Sequence, residues 1–377
     1  MTNPWRISAL AERHRALGSQ LEDWNGMGTA WTYSSDLADH HAAIRTAAGL
    51  MDVSGLKKVH YVGPHAESLL EYAVSRDISK IYPGKSAYAT LLNDDGKFVD
   101  DCIVYRMGPN SFMVVHGSGN GYQMLVSAAL GRNVAVLFDD DLHDLSLQGP
   151  KAVDFLAEYV PGIRDLPYFH HIQTRLFGFP VMISRTGYTG ERGYEIFCKA
   201  NDAVFIWDAI LERGKPLGII PCAFTALDWL RVESYLLFYP YDNSELYPFP
   251  DDQPAGDTLW ELGLDFTVSP TKGEFRGGRE HARLKGKERF RIYGILLEGD
   301  KAAASGDTLW AGEMPVGVIT CAMYSRLTGK SLAIARLNVP QAVPGTPLEV
   351  RGSLHVRASA QPLPFDDPEK KKRTAKG

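Results

Sequence analysis

The distribution of apolar residues along the chain predicts many short strands and few helices. Residues 112–115 and 134–138 form short apolar runs bounded by turn residues, which is typical of strands. Residues 8–17, 36–48 and 202–213 carry apolar positions at helical spacing instead. Hairpin-like turns outnumber long crossover helices, so the pattern favours antiparallel sheets over a doubly wound parallel sheet.

Two segments repeat one pattern, which indicates two similar α+β units. Gly63-Pro64 and Gly149-Pro150 each follow a predicted strand and precede an amphipathic stretch. Proline is well placed at the start of a helix, because its position there needs no amide donor. From about residue 273 short strands and turns predominate, which predicts a separate small all-β domain. The basic residues 366–377 are expected to be a disordered tail.

Length and composition limit the classes of function. A chain of 377 residues with 45% hydrophobic and 23% charged residues is expected to form two or three globular domains. A net charge of −5 without a basic stripe argues against nucleic acid as the main partner. The N-terminus lacks the apolar core of a signal peptide, and no apolar run could span a membrane, so we expect a cytoplasmic protein. The four cysteines are far apart and are expected to be reduced core residues.

Residues 93–106 contain the most informative polar positions. A turn, NDDG, leads into a predicted strand with Asp100 and Asp101 in its middle. Consecutive side chains of a strand point to opposite faces, so the two carboxylates cannot act together on one substrate. One of them is expected to face a pocket alone, and the strand pattern does not say which.

Other candidate motifs do not meet their chemical requirements. Gly84-Lys85-Ser86 and Gly329-Lys330-Ser331 lack the leading glycine of a phosphate loop, and residues 117–121, GSGNG, are interpreted as a turn. The adjacent histidine pairs, residues 40–41 and 170–171, lack the spacing that places two imidazoles on one helix face, so no metal site is expected. Trp24 and Trp31 lie in a glycine-rich loop, where aromatic residues are either core anchors or a pocket wall.

Several segments, in order, resemble the aminomethyltransferase family, the T-proteins of the glycine cleavage system, and its tetrahydrofolate-dependent demethylase branch. The matching segments cover nearly the whole chain and include GLMDVSGL, GKSAY, DDGKFVDDCIVY, LQGPKA, SRTGYTGERGYEIF, ALDWLRVES and ELGLDF. The resemblance implies an α+β fold in which three domains form a ring around a central folate cavity. Two would be antiparallel-sheet α+β domains, and the third a C-terminal β-barrel or jelly-roll-like domain. The implied boundaries are 1–51 with 146–271 for a discontinuous folate-binding domain, 52–145 for the second domain, and 272–365 for the third.

The resemblance also implies the site residues. It selects Asp101 as the catalytic carboxylate near the reactive nitrogens of tetrahydrofolate and leaves Asp100 as a structural partner. The residues implied to line the cofactor cavity are Tyr88, Tyr105, Tyr188, Glu195 and Arg231. A carboxylate such as Glu195 suits the donor edge of a reduced pterin, and tyrosines offer flat apolar contact with a polar tip. For Arg231 the alternative is a surface ion pair with Glu233 on one helix.

Departures from the family pattern concern the carbon donor. His116 stands where the family has asparagine, Ser54-Gly55-Leu56 replaces its Ser-His-Met, and residues 257–260 replace its Asn-Pro-Phe. We hypothesise a tetrahydrofolate-dependent demethylase that moves a methyl group from a small O-methylated substrate to N5 of tetrahydrofolate. The substrate that fits this hypothesis best is a methoxylated aromatic acid. His116 would protonate the leaving oxygen, or is a hydrogen-bonded residue at a strand end. Aromatic residues would contact the substrate: Trp24, Trp31 and Trp229.

Three alternatives remain open at this point. One is an S-methyl demethylase of the dimethylsulfoniopropionate type, and another is the glycine cleavage aminomethyltransferase, which would need a lipoyl carrier protein as partner. The third is a folate-binding protein without catalysis, although the KGCYxGQE motif of the repair relatives is absent. A small-molecule methyl donor is the partner that the leading hypothesis expects, with neither nucleic acid nor membrane involved.

Overall fold

The computed structural model describes residues 6–247 and 256–375. A mostly antiparallel six-stranded sheet, whose edge strand 219–221 is parallel to its neighbour 48–52, a fully antiparallel five-stranded sheet and a closed barrel make up the fold, which agrees with the predicted α+β class. Elements are numbered in chain order. Within the described residues, no helix combines the length and apolar character needed to cross a membrane.

The first unit is built on a six-stranded sheet. Its strands, in spatial order, are β11 (His171–Leu176), β12 (Phe179–Ser184), β13 (Gly193–Lys199), β10 (Leu142–Gln148), β4 (Ala48–Asp52) and β14 (Ile219–Pro221). A small sheet precedes it, with β1 (Arg6–Ile7), β3 (Met27–Thr29) and β2 (Glu22–Trp24). The helices of this unit are α1 (Ala11–Ala16), α2 (Leu37–Thr46), α5 (Ala152–Ala157), α6 (Ala200–Gly214) and α7 (Thr225–Ser234).

The second unit lies between β4 and β10 in the chain. Its five strands, all antiparallel, are β6 (Ser86–Leu92), β7 (Phe98–Gly108), β8 (Ser111–His116), β5 (Lys57–Val62) and β9 (Ala135–Phe138), and its helices are α3 (Ala66–Ala73) and α4 (Gly121–Ala129). The domain boundary at residue 146 stays a prediction. The structure assigns β10 to the first sheet from Leu142 onward, because its residues pair with β13 one for one.

The third unit is a closed barrel. Its strands, in order around the barrel, are β15 (Phe290–Leu297), β18 (Lys330–Asn338), β17 (Met314–Ser325), β16 (Thr308–Ala311), β19 (Pro347–Arg351) and β20 (His355–Gln361). Short helices flank it in the chain: α8 (Leu259–Leu262), α9 (Gly278–Arg283) and α10 (Lys371–Thr374). Among residues 6–247 and 256–375, five 3₁₀ turns complete the regular structure: Ile78–Lys80, Ile163–Asp165, Lys215–Leu217, Asp265–Thr267 and Val339–Gln341.

The repeated Gly-Pro pattern does mark two strand-to-helix turns, at the ends of β5 and β10. Gly149 has φ +130°, and a Cβ there would lie 2.6 Å from the carbonyl oxygen of Ala47. Glycine is therefore required by both conformation and space. The helices begin at Ala66 and Ala152, two residues after each proline.

Two expectations need correction. The first helix begins at Ala11, since the Ser8 hydroxyl accepts a hydrogen bond from the amide of Leu10 and holds residues 8–10 in a turn. The tail expected to be disordered is described as far as residue 375 and contains α10. Arg185 donates hydrogen bonds to the carbonyl oxygens of Arg373, at 3.2 Å, and Ala375, which fixes the tail against the first unit.

Candidate active site in the central cavity

A cavity of about 1070 Å³ lies where the three units meet. Strands β6 and β7 supply one wall, the loop after β12 and strand β13 a second, and the barrel with the C-terminal tail a third. This volume is in the range of sites that enclose a molecule of several hundred daltons.

Asp101 is the half-buried carboxylate of this cavity, and Tyr88 holds it. The Tyr88 hydroxyl donates a 2.7 Å hydrogen bond to Oδ2 of Asp101 from the adjacent strand. Burial raises the pKa of Asp101 to about 6, although the Tyr88 bond acts in the opposite direction. The Tyr88 ring stacks on Phe266 with centroids 6.3 Å apart. The site thus presents a carboxylate, mostly ionised at neutral pH, beside a flat aromatic surface.

Asp100 points to the opposite face and is anchored by the glycine loop 117–121. Its carboxylate accepts hydrogen bonds from the amides of Gly119, at 3.0 Å, Gly121, at 3.1 Å, and Asp101, at 3.0 Å. Burial and the Asp101 charge raise the pKa of Asp100, while these amide bonds lower it. The loop interpreted as a plain turn therefore fixes the strand segment that carries Asp101.

His116 belongs to the lining of the cavity, but its place in the strand ladder puts its side chain on the face opposite to Asp101, which does not favour its predicted role as a proton donor there. It pairs across the ladder with Cys102, whose side chain shares a face with Asp100. Its ring lies 3.4 Å from the Tyr61 hydroxyl and edge-on to Tyr122. Burial lowers the pKa of His116 to about 3, so the imidazole is neutral at physiological pH. Position and charge both disagree with proton donation at Asp101.

Glu195 reaches the cavity from β13 and is held from behind. Its Oε2 accepts hydrogen bonds from Tyr105, at 3.3 Å, and from Thr186. Tyr105 is fully buried, so it positions Glu195 instead of lining the cavity as predicted. Within the described residues no hydrogen bond goes to Oε1, which leaves that oxygen as an acceptor towards the cavity. Burial raises the pKa of Glu195.

Tyr188 lines the cavity, whereas Arg231 does not. The Tyr188 hydroxyl donates to the carbonyl oxygens of Leu236, at 3.0 Å, and Leu237, which orients its ring at the wall. Arg231 is 1% exposed and forms ion pairs with Asp228, at 2.9 Å, and Asp242, at 2.6 Å. Its guanidinium is thus already paired with the buried Asp242 and the half-buried Asp228, so this structure does not favour its predicted contact with the cofactor.

Of the three tryptophans predicted to contact the substrate, only one lines the cavity. Trp24 lines the cavity and donates a 3.2 Å hydrogen bond to Ser118, and a Cβ at Gly55 would lie 2.5 Å from its ring. The small residue that departs from the family pattern therefore makes room for this indole. Trp31 packs on Phe224 with centroids 4.6 Å apart, and Trp229 packs edge-on to His41, so both are half-buried residues that pack against the core and do not line the cavity.

Several lining residues were not predicted from the sequence. They include Tyr168, Phe224, Phe266, Arg291, Lys370 and Arg373. These residues lie far apart in the chain, so no contiguous motif marks them as neighbours. The cluster of basic residues in the tail was a signal, but such a cluster is equally typical of a solvent-exposed segment. In the part of the chain that the structure describes, no three potential metal ligands are grouped.

Comparison with known proteins gives concordant matches. The GCVT N-terminal domain family matches residues 10–272, and the glycine cleavage T-protein C-terminal barrel domain family matches residues 291–367. A similar protein is the heme-dependent oxidative N-demethylase gamma subunit of Ectopseudomonas mendocina (strain ymp), 78% identical over 377 residues and 100% of both chains. The aminomethyltransferase of Streptomyces coelicolor is 32% identical over 96% of this chain and 97% of its own.

A solved structure matches this chain over nearly its whole length. The glycine cleavage system aminomethyltransferase T from Bartonella henselae has a TM-score of 0.85 and 26% identity, covering 96% of this chain and 98% of its own. Together, these matches confirm the resemblance and the fold class predicted from the sequence.

Proposed function

The chain belongs to the glycine cleavage T-protein (GCVT) family, and from this premise we propose that it is the tetrahydrofolate-binding subunit of an oxidative N-demethylase. In this role it captures the carbon removed from an N-methyl group and delivers it to tetrahydrofolate. The relatives are enzymes, and the one that is 78% identical over its whole length is named as a subunit of such a demethylase. The name of that relative, a heme-dependent gamma subunit, also supports partner subunits as the site of oxidation.

The observation that carries the proposal is the Asp101 carboxylate beside Tyr88 in the central cavity. A carboxylate held by one hydrogen bond and largely removed from water stabilises positive charge on a nearby nitrogen and can accept its proton. Because Asp100 is fixed by three amides, the segment that bears Asp101 needs little reorganisation. These residues suit chemistry at an amine.

The residues of the cavity also fit tetrahydrofolate. Glu195 offers a free carboxylate oxygen for the donor edge of the pterin, and Tyr88, Tyr188 and Phe266 offer flat apolar surface. The volume of about 1070 Å³ exceeds that of a small amine alone. When bound, tetrahydrofolate supplies two amine nitrogens, N5 and N10, that take up one carbon at the oxidation level of formaldehyde.

In the proposed reaction the partner subunits carry out the oxidation, and the step in this chain needs no oxidant or reductant. Oxidation of an N-methyl group by two electrons, which pass to an electron acceptor in the partner subunits while one water is consumed, yields the demethylated amine and formaldehyde. Condensation of formaldehyde with two N–H groups releases one water and transfers no electrons. Asp101 holds and moves the proton of that condensation, and the aromatic walls keep bulk water away.

An N-methyl donor replaces the O-methyl donor expected from the sequence. A methoxylated acid would leave as an anion and require a proton donor near Asp101. His116 lies on the other face of the sheet and is neutral, so it does not meet that requirement. The glycine cleavage reaction is the second candidate, favoured by the 32% identical aminomethyltransferases, and it would need a lipoyl carrier protein.

The test uses the native complex, purified through a tag on this chain. The complex receives ¹³C-methyl dimethylamine or dimethylglycine, tetrahydrofolate, and semicarbazide as a trap for free formaldehyde, and products are followed by mass. We expect labelled methylenetetrahydrofolate despite the trap, and diversion of the label to the trap in Asp101→Asn. Label found only in the trap with the wild-type complex would refute the proposal.

Parallel samples separate the alternatives. Methoxybenzoate and dimethylsulfoniopropionate test O- and S-methyl donors through 5-methyltetrahydrofolate. An aminomethylated lipoyl carrier protein tests the glycine cleavage reaction through release of ammonia. Activity in one of these samples, with none on the N-methyl donors, would replace the proposed function by that reaction.

A further inference from the structure

The outer edge of β9 is an apolar strand edge that no strand of the described residues covers. β9 is the last strand of the five-stranded sheet and pairs on one side only, with β5. Its exposed positions include Leu137, which is 58% exposed, and Phe138. There is no charged residue or proline from Ala135 to Phe138, and the register with β5 has no bulge. An edge of this kind readily pairs with another chain.

The other edges of the two sheets are protected. β11 turns Gln173 and Arg175 to solvent, and β14 is three residues long and contains Pro221. β6, the second edge of the five-stranded sheet, is largely buried. Charge and proline are common devices that prevent pairing at an exposed edge, and β9 has neither. β9 therefore differs from the other edges in composition as well as in position.

Further exposed apolar side chains flank this strand. Val62 ends the paired strand β5, and Leu130 lies in the turn that leads to β9. Ile7 is also exposed, and its neighbour Arg6 lies 5.2 Å from the centroid of the Phe138 ring. The apolar edge thus extends into a patch of the kind that marks a protein interface.

The backbone groups that face the open edge belong to Val136 and Phe138. The amide of Asp139 donates to the carbonyl oxygen of Lys58 at 2.9 Å, so Asp139 bonds inward to β5. Hydrogen-bonded positions alternate along an antiparallel strand. Leu137 therefore bonds inward as well, whereas Val136 and Phe138 direct their amide and carbonyl groups outward. These groups are placed to pair with a further strand.

The charges at the two ends of β9 indicate which strand this is. Arg132 precedes β9, donates to the carbonyl oxygen of Ala128 and lies over the Tyr72 ring, and it forms no ion pair in the described part of the chain. Asp140 and Asp141 follow β9, and although both pair within the chain, their side chains are 51% and 56% exposed. An antiparallel copy of β9 brings the basic start of one strand to the acidic end of the other, whereas a parallel copy would bring like charges together.

We propose that two copies of this chain associate through β9, in antiparallel orientation about a two-fold axis at Leu137. Val136 of each copy then pairs with Phe138 of the other, which satisfies the outward backbone groups of both strands. The two Leu137 side chains meet across the axis, and the two five-stranded sheets become one continuous sheet. Because β9 and the cavity-lining β6 are opposite edges of their sheet, both cavities stay open. The association is independent of the ligand that the cavity holds.

Sedimentation of the full-length chain measures the association, and hydrogen exchange locates it. The proteins are the wild type, Leu137→Lys and the control Met314→Lys. Met314 is 61% exposed on the barrel, so the control introduces the same charge at similar exposure away from β9. Amide exchange of residues 134–139 is followed by mass at low and high protein concentration, and native mass spectrometry counts the copies of this chain in the native complex. Unfolding midpoints in urea verify that each variant has folded.

We expect the wild type to dimerise with a dissociation constant between about 1 and 100 μM, as befits a small interface. Residues 134–139 should exchange more slowly as the protein concentration rises. Leu137→Lys should weaken the dimer about 100-fold, because it removes two apolar side chains from the axis and places like charges there. Met314→Lys should dimerise as the wild type does, and the native complex should contain two copies of this chain.

Two charge reversals test the orientation. Arg132→Glu and Asp141→Lys should each weaken the dimer, because both end contacts of the symmetric pair then join like charges. A mixture of the two variants should restore association, since each end contact of the mixed pair again joins opposite charges. This recovery requires a second copy of the chain in antiparallel orientation.

Several results would overturn the inference. One is a wild type that stays monomeric at about 100 μM. Others are a dimer that both lysine variants weaken equally, and a mixture of the charge-reversed variants that does not recover. A native complex that contains one copy of this chain, with residues 134–139 protected from exchange, would also refute the proposed dimer, since another subunit would then cover β9.

Discussion

Replacing Gly119 by alanine tests whether the glycine loop positions the Asp100–Asp101 segment. A Cβ at this position would lie 2.3 Å from the carbonyl oxygen of Val99 and 2.8 Å from the Asp100 carboxylate. An ordinary contact needs 3.4 Å or more, so loop and strand must separate by about 1 Å. Gly119 has no left-handed φ, so the effect is steric and not conformational.

The cost has two parts. Overpacking against backbone costs about 1–3 kcal/mol. Loss of the 3.0 Å bond from the Gly119 amide to Asp100 costs about 1.5–3 kcal/mol, since the acceptor is a carboxylate. Together they predict a loss of about 2.5–6 kcal/mol in the free energy of unfolding. A displacement of about 1 Å at Asp101 should also reduce turnover about 100-fold.

Urea denaturation and the labelled-methyl assay measure the two effects. The matched control is Gly273→Ala, where a Cβ would meet no atom within 4 Å. We expect the control to behave as the wild type and Gly119→Ala to lose both stability and turnover. Equal unfolding midpoints and equal rates for the two variants would refute the positioning role of the loop.

Three further predictions follow from the site. Asp101→Asn should keep its fold and lose at least about 100-fold of turnover. Because the pKa of Asp101 is about 6 and its ionised form is required, the wild-type rate should fall as pH decreases through 6, and steady-state rates from pH 5 to 8 check both points. His116→Asn should retain near wild-type turnover in the same assay, and a large loss would restore His116 to the mechanism. Arg231→Ala should lower the free energy of unfolding, measured by urea denaturation, by about 3–5 kcal/mol, because it leaves buried Asp242 without its cation. Folate affinity in native buffer should stay unchanged. A selective loss of folate affinity would contradict this prediction.

The sequence by itself determined the classes of element and the identity of the central carboxylate. The mostly antiparallel pairing followed from short apolar runs and turns, the all-β character of the last part of the chain followed from its short strands and turns, and the barrel followed from the family resemblance. The opposed directions of Asp100 and Asp101 followed from the two-residue period of a strand, and the family resemblance selected Asp101 and Tyr88, which the structure brings within 2.7 Å. These features depend on local pattern or on contiguous motifs, which one sequence contains.

Only the tertiary structure decided which side chains meet. The direction of the His116 side chain depends on the register Cys102↔His116, which two strands set together, so the sequence could not show that it points away from Asp101. Trp31 and Trp229 are kept out of the cavity by packing against Phe224 and His41, far from them in the chain. The basic tail became a cavity wall through Arg185, 190 residues from Ala375. Such contacts arise from the packing of whole units, and the polarity of a residue does not specify its partner.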